Sequence, residues 1–531
     1  MKIEIYDTTL REGAQGAGVL FTPSDRGKIV RALDSLGVSY IEVGNFDAAG
    51  DALAGIPSES ELSCARLSAF CSTRHPGVSA CDDPALRAVA ESPISVCTLV
   101  GKCSRFQTEK VLLTTIEENA AMIADSVSFL KSAGKEVHFD AEHFFDGYSD
   151  DPELAVSLLR TALDAGADRL VLCDTNGGML PDIIGMTVEA VKKALPEAVL
   201  GIHCHNDLGM AVACSLSAVL SGAVQVQGTV TGIGERCGNA DLTTLIPLLQ
   251  LKIGCSCLPS ERLRTLTATS REICEVLNMP FNEHSPFVGG YAFSHKAGMH
   301  IDGVRKAPRA FEHTVPEYVG NSRNLPVSSL AGRAALASKM CALDPGLTKD
   351  SPEVAKALGV VRDYEAKGYQ YESAEASLLL ILLESLGRMS RHFTLSTFKV
   401  LIDEPCAGSE CSRCSALIKV AVGDSEEITA AEGTGPVNAL DLALRRALSG
   451  FFPALSSVRL TDYKVRVFES DNATASRVRV FIESTDGSRV WRTTGVSADI
   501  IDASWQALRD SVEYKLTLDD GVMTYDPEAA E

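Results

Sequence analysis

Short apolar runs alternate with helical patterns through the first 250 residues of the chain, which predicts βα units and a parallel sheet. The eight predicted strands are Ile3–Tyr6, Tyr40–Val43, Leu67–Phe70, Ser95–Val100, Glu136–Asp140, Arg169–Cys173, Leu200–Cys204 and Val224–Gly228. Glycines such as Gly37 and Gly166 stand where a helix would end before the next strand. Eight units of this length predict an α/β fold of the (β/α)8 TIM barrel type. A doubly wound open sheet is the alternative, but no phosphate-binding GxGxxG loop supports it.

The pattern changes further along the chain. Residues 259–396 have helical and loop-like patterns, and from about residue 397 three β-rich runs followed by a helix occur twice. The first set is Phe398–Asp403, Ala416–Val422, Glu427–Ala431 and the helix Asn438–Phe451, and the second is Val458–Val467, Arg477–Ser484, Arg489–Thr494 and the helix Ile501–Leu516. We therefore expect a barrel over 1–258, a helical linker over 259–396, an α+β domain of two βββα units over 397–520, and a flexible tail over 521–531.

The composition is that of an ordinary globular protein, with 45% hydrophobic and 22% charged residues. Lys and Arg number 49 against 70 Asp and Glu, and the formal charge of −21 disfavours a nucleic acid or an anionic membrane as partner. The densest apolar run, Leu378–Leu383, is too short to span a membrane, and the N-terminus lacks the apolar segment of a signal peptide. We expect a cytoplasmic protein.

Sixteen cysteines are scattered along the chain, and in the cytoplasm reduced thiols are the default. Their tightest cluster is Cys406, Cys411 and Cys414, whose spacing resembles part of an iron–sulfur loop. A cluster would need a fourth cysteine downstream, and none follows. Free thiols in a polar loop are the favoured interpretation.

Polar residues follow most of the predicted barrel strands, where a (β/α)8 barrel carries its active site. They include Asp7, Arg11, Glu12, Asn45, Glu142, His143, Asp174, Thr175, Asn176, His203, His205, Asn206, Asp207, Glu235, Arg236 and Asn239. Because loops are polar in any case, this collection alone favours a site only modestly.

His203 and His205 are two residues apart on a strand, so both imidazoles leave the same face and can bind one ion. By itself such a pair fits a hydrogen-bonded polar pair equally well. Glu12, at the matching end of the first strand, adds a carboxylate, and this donor set suits a catalytic divalent cation such as Mg²⁺, Mn²⁺ or Zn²⁺. Asn239 offers a further oxygen, although a turn-forming role explains it nearly as well.

Arg11 and His300 are further candidates for catalysis. The Arg11 cation can stabilise an oxyanion on a metal-held substrate, and the alternative is a structural ion pair with Asp7 or Glu142. His300 lies beyond the barrel between glycines, where a loop histidine can act as acid or base, or simply be a surface residue.

Three segments carry a resemblance to a known family: Tyr6–Gln15 (YDTTLREGAQ), His203–Gly209 (HCHNDLG) and Gly232–Asn239 (GIGERCGN). Together they resemble the signatures of the metal-dependent acyltransferases and lyases built on a (β/α)8 barrel, which include 2-isopropylmalate, homocitrate and citramalate synthases and HMG-CoA lyase. Additional segments resemble the citramalate synthase branch, namely Asp140–Tyr148 (DAEHFFDGY), Ala431–Ala439 (AEGTGPVNA) and Leu460–Val467 (LTDYKVRV).

The resemblance implies condensation of acetyl-CoA with pyruvate to give (R)-citramalate and CoA for isoleucine synthesis. It implies metal ligation by Glu12, His203, His205 and Asn239. It also implies catalytic roles for Arg11, Glu142, His300 and Asp302, and substrate contacts from Arg11, Gln15 and Thr175. The βββα pair resembles the regulatory and dimerisation domain of the 2-isopropylmalate synthase group, which implies a homodimer and an isoleucine effector.

Two positions depart from the family pattern. Glu12 stands where most citramalate synthases have Asp and homocitrate synthases often have Glu, and the extra methylene moves the carboxylate by about 1.5 Å. The choice of 2-oxo acid therefore stays open. Phe311 stands where the family usually has a proton-transferring tyrosine, so His300 with water, Tyr291 or Tyr318 must replace it.

The size of the oxo-acid pocket is expected to depend on apolar side chains near the strand ends. Candidates are Val43, Leu99, Phe139 and Phe144, for each of which a place in the barrel core is an equally good explanation. No extra basic residue is evident near these positions, so 2-oxoglutarate should be inert. The other hypotheses are the same condensation on a different 2-oxo acid, a lyase of the superfamily, and a non-catalytic amino-acid sensor.

Overall fold

The protein is described by a computed structural model covering residues 1–46, 52–295, 298–324, 332–403, 413–468, 476–487 and 489–521. The chain divides into two compact units. The first comprises Met1–Phe293 with His313–Asn324, and the second comprises Ser294–Glu312 with Leu325–Glu531. Cys406, Cys411 and the expected tail beyond Gly521 lie outside the described residues.

Eight parallel strands close into a barrel in the first unit, because β1 pairs with both β2 and β8. The strands are β1 (Glu4–Asp7), β2 (Tyr40–Asn45), β3 (Arg66–Ser72), β4 (Val96–Lys102), β5 (Glu136–Glu142), β6 (Arg169–Asp174), β7 (Leu200–Cys204) and β8 (Gln225–Gly228). Each of the eight predicted strands overlaps one of these, so the barrel is confirmed and the open sheet is wrong.

Helices cover the outside of the barrel. They are α1 (Pro23–Leu36), α2 (Pro84–Glu91), α3 (Ile116–Ser132), α4 (Phe144–Asp150), α5 (Pro152–Asp164), α6 (Pro181–Ala194), α7 (Ala211–Leu220), α8 (Leu242–Pro247), α9 (Ser260–Leu263) and α10 (Leu266–Val276). Helix α1 shows how the sequence sets such bounds: Thr22 accepts a hydrogen bond from the Asp25 N–H, and Gly37 ends the helix at φ 93°. Between β2 and β3 the described residues form only the short 3-10 turn Glu59–Glu61.

Apolar side chains of strands and helices form the core of this unit. Val43, Leu99, Phe139 and Phe144, the expected pocket residues, are all fully buried in it. Their explanation as barrel core is therefore the correct one.

The second unit contains two three-stranded antiparallel sheets. Their strands are β9 (Thr394–Asp403), β10 (Arg413–Val422), β11 (Ser425–Gly433), β12 (Arg459–Phe468), β13 (Arg477–Thr485) and β14 (Val490–Ser497). The helices are α11 (Gly298–Lys306), α12 (Gly332–Leu343), α13 (Pro352–Ala366), α14 (Glu375–Ser385), α15 (Pro436–Ser449) and α16 (Ile500–Asp519). The first sheet packs on α15 and the second on α16, which confirms the predicted βββα repeat. No helix in the described ranges has the length and apolar character needed to cross a membrane.

Candidate metal centre and active site

A cavity of about 320 Å³ opens at the carboxyl ends of the barrel strands. Its walls are Arg11, Glu12, Gln15, Phe70, Ser72, Val100, Lys102, Asp140, Glu142, Cys173, Thr175, His203, His205, Glu235 and Arg236. The structure thus brings together most of the predicted site residues of the barrel. Its apolar wall comes from Phe70 and Val100, which the sequence analysis did not single out.

Glu12, His203 and His205 form a compact group of metal-type donors. One donor atom from each lies within 4.8 Å of the other two, and all three side chains are buried. The two imidazole rings lie 5.1 Å apart between centroids, and His203 Nε2 is 4.0 Å from Glu12 Oε1. These donors are close enough for small side-chain movements to bring all three onto a single ion.

Three buried polar atoms at this group have no hydrogen-bond partner in the part of the chain that the structure describes: Glu12 Oε2, His205 Nδ1 and Asn239 Oδ1. A buried polar atom without a partner costs about 1–3 kcal/mol, so three of them in one place need an explanation. A divalent cation would satisfy all three, since carboxylate, imidazole and amide oxygen are ligands of such ions. The residues present therefore fit a bound metal.

Asn239 reaches the group through the loop that follows β8. Asn239 pairs with His205 in an isolated antiparallel bridge, and the Asn206 N–H donates to the Gly238 carbonyl at 2.9 Å. Gly238 has φ +88°, and a Cβ there would overlap with the Gly232 carbonyl oxygen. Glycine is therefore required for the loop to bring Asn239 beside the end of β7.

Arg11 is held by two carboxylates inside the barrel. Its Nε donates to Glu42 Oε2 at 2.6 Å, and its Nη1 donates to Glu12. The guanidinium carbon also lies 3.9 Å from the centroid of the Phe70 ring. The structural alternative considered for Arg11 named Asp7 or Glu142, whereas its ion pairs in the described chain are with Glu12 and Glu42.

Burial and charge act in opposite directions on the acids of the site. Burial raises the pKa of Glu12. The positive charge and the hydrogen bond of Arg11, together with electrostatic interactions with His203 and His205, outweigh burial and hold that pKa below its ordinary value. Burial raises the pKa of Glu42 in spite of Arg11. Burial, with the charge of Glu42, also raises the pKa of Asp140 well above its usual range. Glu12 is thus the acid kept ionised for a cation.

The histidines are kept neutral by the same environment. Burial, together with the charge of neighbouring His203, lowers the pKa of His205 to about 4, and burial also lowers the pKa of His203. Neutral imidazoles have the free lone pair that a metal ion requires.

Further polar side chains that line the cavity can hold a small substrate. Thr175 Oγ1 accepts a bond of 2.8 Å from the His143 N–H, which leaves its own hydroxyl proton to donate. Glu142 forms an ion pair with Lys102, its register partner on β4. Gln15 is exposed at the rim.

His300 and Asp302 belong to the second unit. The His300 ring lies 4.5 Å from that of Phe311 between centroids, and Asp302 pairs with Lys306 at 2.6 Å on the surface of α11. Tyr291 and Tyr318 are exposed. The catalytic roles of His300 and Asp302 stay predictions.

Sequence reasoning missed four polar residues of the barrel interior: Glu42, Lys102, Asp140 and Gln227. All lie within strands, and Gln227 accepts a hydrogen bond from His203 Nδ1 at 2.9 Å. The sequence does hold a signal for these residues, because each is a charged or amide residue in a predominantly apolar strand. Such a residue can point into the barrel.

Comparison of the sequence with known proteins shows the family to which the chain belongs. The HMGL-like family model matches residues 2–271. An (R)-citramalate synthase from Aquifex aeolicus is 44% identical over 525 residues, which cover 98% of this chain and 98% of the relative. The chain belongs to the (R)-citramalate synthase family. A second member of that family, from Geobacter sulfurreducens, is 44% identical over 97% of both chains.

Membership in the (R)-citramalate synthase family confirms the predicted enzyme class, an acyltransferase that condenses an acyl-CoA with an acceptor. A homocitrate synthase from Saccharolobus solfataricus is more distant, at 34% identity over 64% of this chain and 72% of the relative. Two further models match the rest of the chain: a homocitrate synthase post-HMGL domain-like segment over 287–367 and a LeuA allosteric (dimerisation) domain over 372–516.

Proposed function

We propose that the protein condenses acetyl-CoA with pyruvate and hydrolyses the thioester, releasing (R)-citramalate and CoA. The observation that carries this proposal is the buried group of Glu12, His203 and His205 beside Arg11, in a chain 44% identical to an (R)-citramalate synthase along 98% of its length. A lyase or a non-catalytic sensor is disfavoured by the same full-length similarity.

A divalent cation held by Glu12, His203, His205 and Asn239 would act as a Lewis acid toward the carbonyl of the 2-oxo acid. We assign to Thr175, whose hydroxyl lines the cavity, the donation of a hydrogen bond to the substrate carboxylate. Glu42 holds the Arg11 guanidinium at the cavity wall, where it stabilises negative charge developing on a substrate oxygen.

The carbon–carbon bond requires removal of a proton from the acetyl methyl group. We assign this proton to a base in the segment of His300 and Asp302, and the enolate oxygen to Arg11. The enolate carbon attacks the keto carbon of pyruvate, whose oxygen takes up a proton. Water then cleaves the thioester and CoA leaves with the thiol proton, so the overall reaction is effectively irreversible.

Lys102 gives a second candidate substrate some support. The Lys102 cation at the cavity wall would favour a 2-oxo acid with a second carboxylate, such as 2-oxoglutarate. The resemblance points the same way at Glu12, since homocitrate synthases often have Glu at this position. However, Glu142 already neutralises Lys102 in an ion pair within the cavity. A second substrate carboxylate would have to compete with Glu142, and this favours pyruvate.

The experiment that tests the function is a CoA-release assay with acetyl-CoA and pyruvate, 2-oxobutyrate, 2-oxoisovalerate or 2-oxoglutarate. One methylene is worth about 1–3 kcal/mol of discrimination, so kcat/KM for pyruvate should exceed that for 2-oxobutyrate by at least about 10-fold. Chiral chromatography should identify the product as (R)-citramalate. Efficient turnover of 2-oxoglutarate would assign homocitrate synthase instead.

We further propose that the protein forms a homodimer through the second unit and that isoleucine is its effector. The match to a LeuA allosteric (dimerisation) domain over 372–516 supports a dimer and an allosteric role for this domain. Isoleucine as the effector rests on the resemblance to the citramalate synthase branch. Every cysteine among the described residues is a free thiol, which supports a cytoplasmic location.

A further inference from the structure

Gln227, on the last barrel strand, contacts the metal-ligand group through His203, at the ring nitrogen Nδ1. Gln227 and His203 are register partners on β8 and β7, and the Gln227 Oε1 accepts a hydrogen bond of 2.9 Å from His203 Nδ1. Gln227 Nε2 in turn donates to Asp140 Oδ1 at 3.0 Å. Gln227 has no exposed surface, and Asp140 is 3% exposed.

The contacts of Gln227 set an order of donors and acceptors. Its amide NH₂ faces Asp140 and donates to the carboxyl oxygen there, and its carbonyl oxygen faces His203. The facing nitrogen of His203 must then carry a proton. The other ring nitrogen, Nε2, keeps its lone pair on the side where Glu12 Oε1 lies at 4.0 Å.

We propose that Gln227, oriented by Asp140, is a positioning residue that fixes the tautomer and ring orientation of His203 for metal binding. The inference rests on the metal site of the proposed function. Hydrogen bonds to the second nitrogen of a metal-binding histidine typically change metal affinity about 10- to 100-fold.

The same strand supplies a matched control. Gln225 lies two residues before Gln227, is equally buried, and points into the same barrel interior. Its Nε2 contacts Glu4 Oε2 and His138 Nδ1 at 3.4 Å each, and neither residue belongs to the metal group. Replacing either glutamine by leucine removes one buried amide from the interior, but only the change at Gln227 removes a partner of His203.

The test measures Zn²⁺ affinity of the metal-stripped full-length protein by competition with a chromophoric chelator. His203→Ala serves as the blank for adventitious Zn²⁺. We expect Gln227→Leu to weaken binding about 10- to 100-fold and Gln225→Leu to stay within about threefold of the wild-type chain. Gln227→Glu keeps an acceptor for His203 Nδ1–H and should recover affinity relative to Gln227→Leu.

Each outcome decides between the proposals. If Gln227→Leu binds Zn²⁺ as tightly as the wild-type chain, or if Gln225→Leu loses as much affinity, the positioning role is wrong while the metal site stands. If the wild-type chain binds no more Zn²⁺ than His203→Ala, the metal site itself is wrong. Should Gln227→Leu fail to fold, Gln227→Met decides, because methionine also offers no amide oxygen to His203 Nδ1–H. Zn²⁺ binding by Gln227→Met as tight as that of the wild-type chain would overturn the inference.

Discussion

His203 contributes to the site in two ways, as a metal-type donor and as the link to the interior of the barrel. Replacing it by alanine removes one of three clustered donors while deleting a side chain at the barrel mouth, where the fold can tolerate a cavity. We expect His203→Ala to lower turnover by at least about 100-fold and to reduce bound metal. A CoA-release assay measures turnover, elemental analysis measures bound metal, and far-ultraviolet circular dichroism checks that the fold persists. Full activity in a chelated, metal-free wild-type sample would contradict the prediction.

Asp7 is a carboxylic acid whose pKa is raised mainly by burial. It is fully buried, accepts hydrogen bonds from the Thr9 N–H and Oγ1 at 2.9 Å each, and burial raises its pKa to about 7. The folded state therefore keeps the proton between about pH 4 and pH 7, where the unfolded chain has lost it. Stability consequently falls as the pH rises through this window.

Asp7→Asn removes the carboxyl group whose ionisation destabilises the fold as the pH rises. The free energy of unfolding of Asp7→Asn, measured by urea denaturation relative to the wild-type chain, should increase with pH by at most about 1.4 kcal/mol per pH unit and level off above about pH 7. Asp25→Asn is the control with the opposite sign, since hydrogen bonds from Thr22 lower the pKa of the partly exposed Asp25. A pH-independent difference at Asp7 would refute the assignment.

At the scale of an element, the loop after β8 holds Asn239 only because Gly238 lacks a side chain. Gly238→Ala forces the backbone away from Gly232, so we expect Asn239 to move and kcat/KM to fall by at least about 10-fold with weaker metal binding. Gly254→Ala is the matched control, because Gly254 also has a positive φ, +80°, but open space around its Cβ position. Equal losses in both variants would show that general strain, not the loop, is responsible.

At the scale of the whole molecule, the first sheet of the second unit exposes large apolar side chains, interspersed with charged ones, on the face opposite its buried residues. Leu401, Leu417 and Ile428 are 62%, 41% and 60% exposed, whereas the alternate residues Ala416 and Ile418 are buried. Such a face suits contact with a second copy. Leu417→Glu combined with Ile428→Glu should shift the protein from dimer toward monomer in light scattering. Val490→Glu, at an equally exposed apolar residue on the other sheet, should not.

The effector proposal also belongs to this scale. Removing residues from 397 onward deletes the matched dimerisation domain almost entirely, so the truncated protein should condense its substrates without responding to isoleucine. Leu379 and Leu383 of α14 pack against Tyr514 and Leu518 in the second unit, so truncation should also lower solubility. Isoleucine titration of both proteins in the CoA-release assay measures the effect. Inhibition that survives truncation would place the effector site elsewhere.

The sequence by itself determined the eight strands, the two βββα units and the group of Glu12, His203 and His205. These are local properties: apolar runs of strand length, glycines at helix ends, two histidines two residues apart at the end of one strand, and a glutamate in the loop after another. The barrel then had to bring the strand ends together.

Only the tertiary structure decided which partners the polar and charged groups of the barrel have. Arg11, in the loop after β1, pairs with Glu42 on β2, Lys102 with Glu142 across β4 and β5, and His203 with Gln227 across β7 and β8. An apolar run with one polar residue shows which face that residue takes, but its partner follows from strand register and barrel closure. For the same reason Phe70 and Val100 line the cavity while Val43, Leu99, Phe139 and Phe144 are buried in the core.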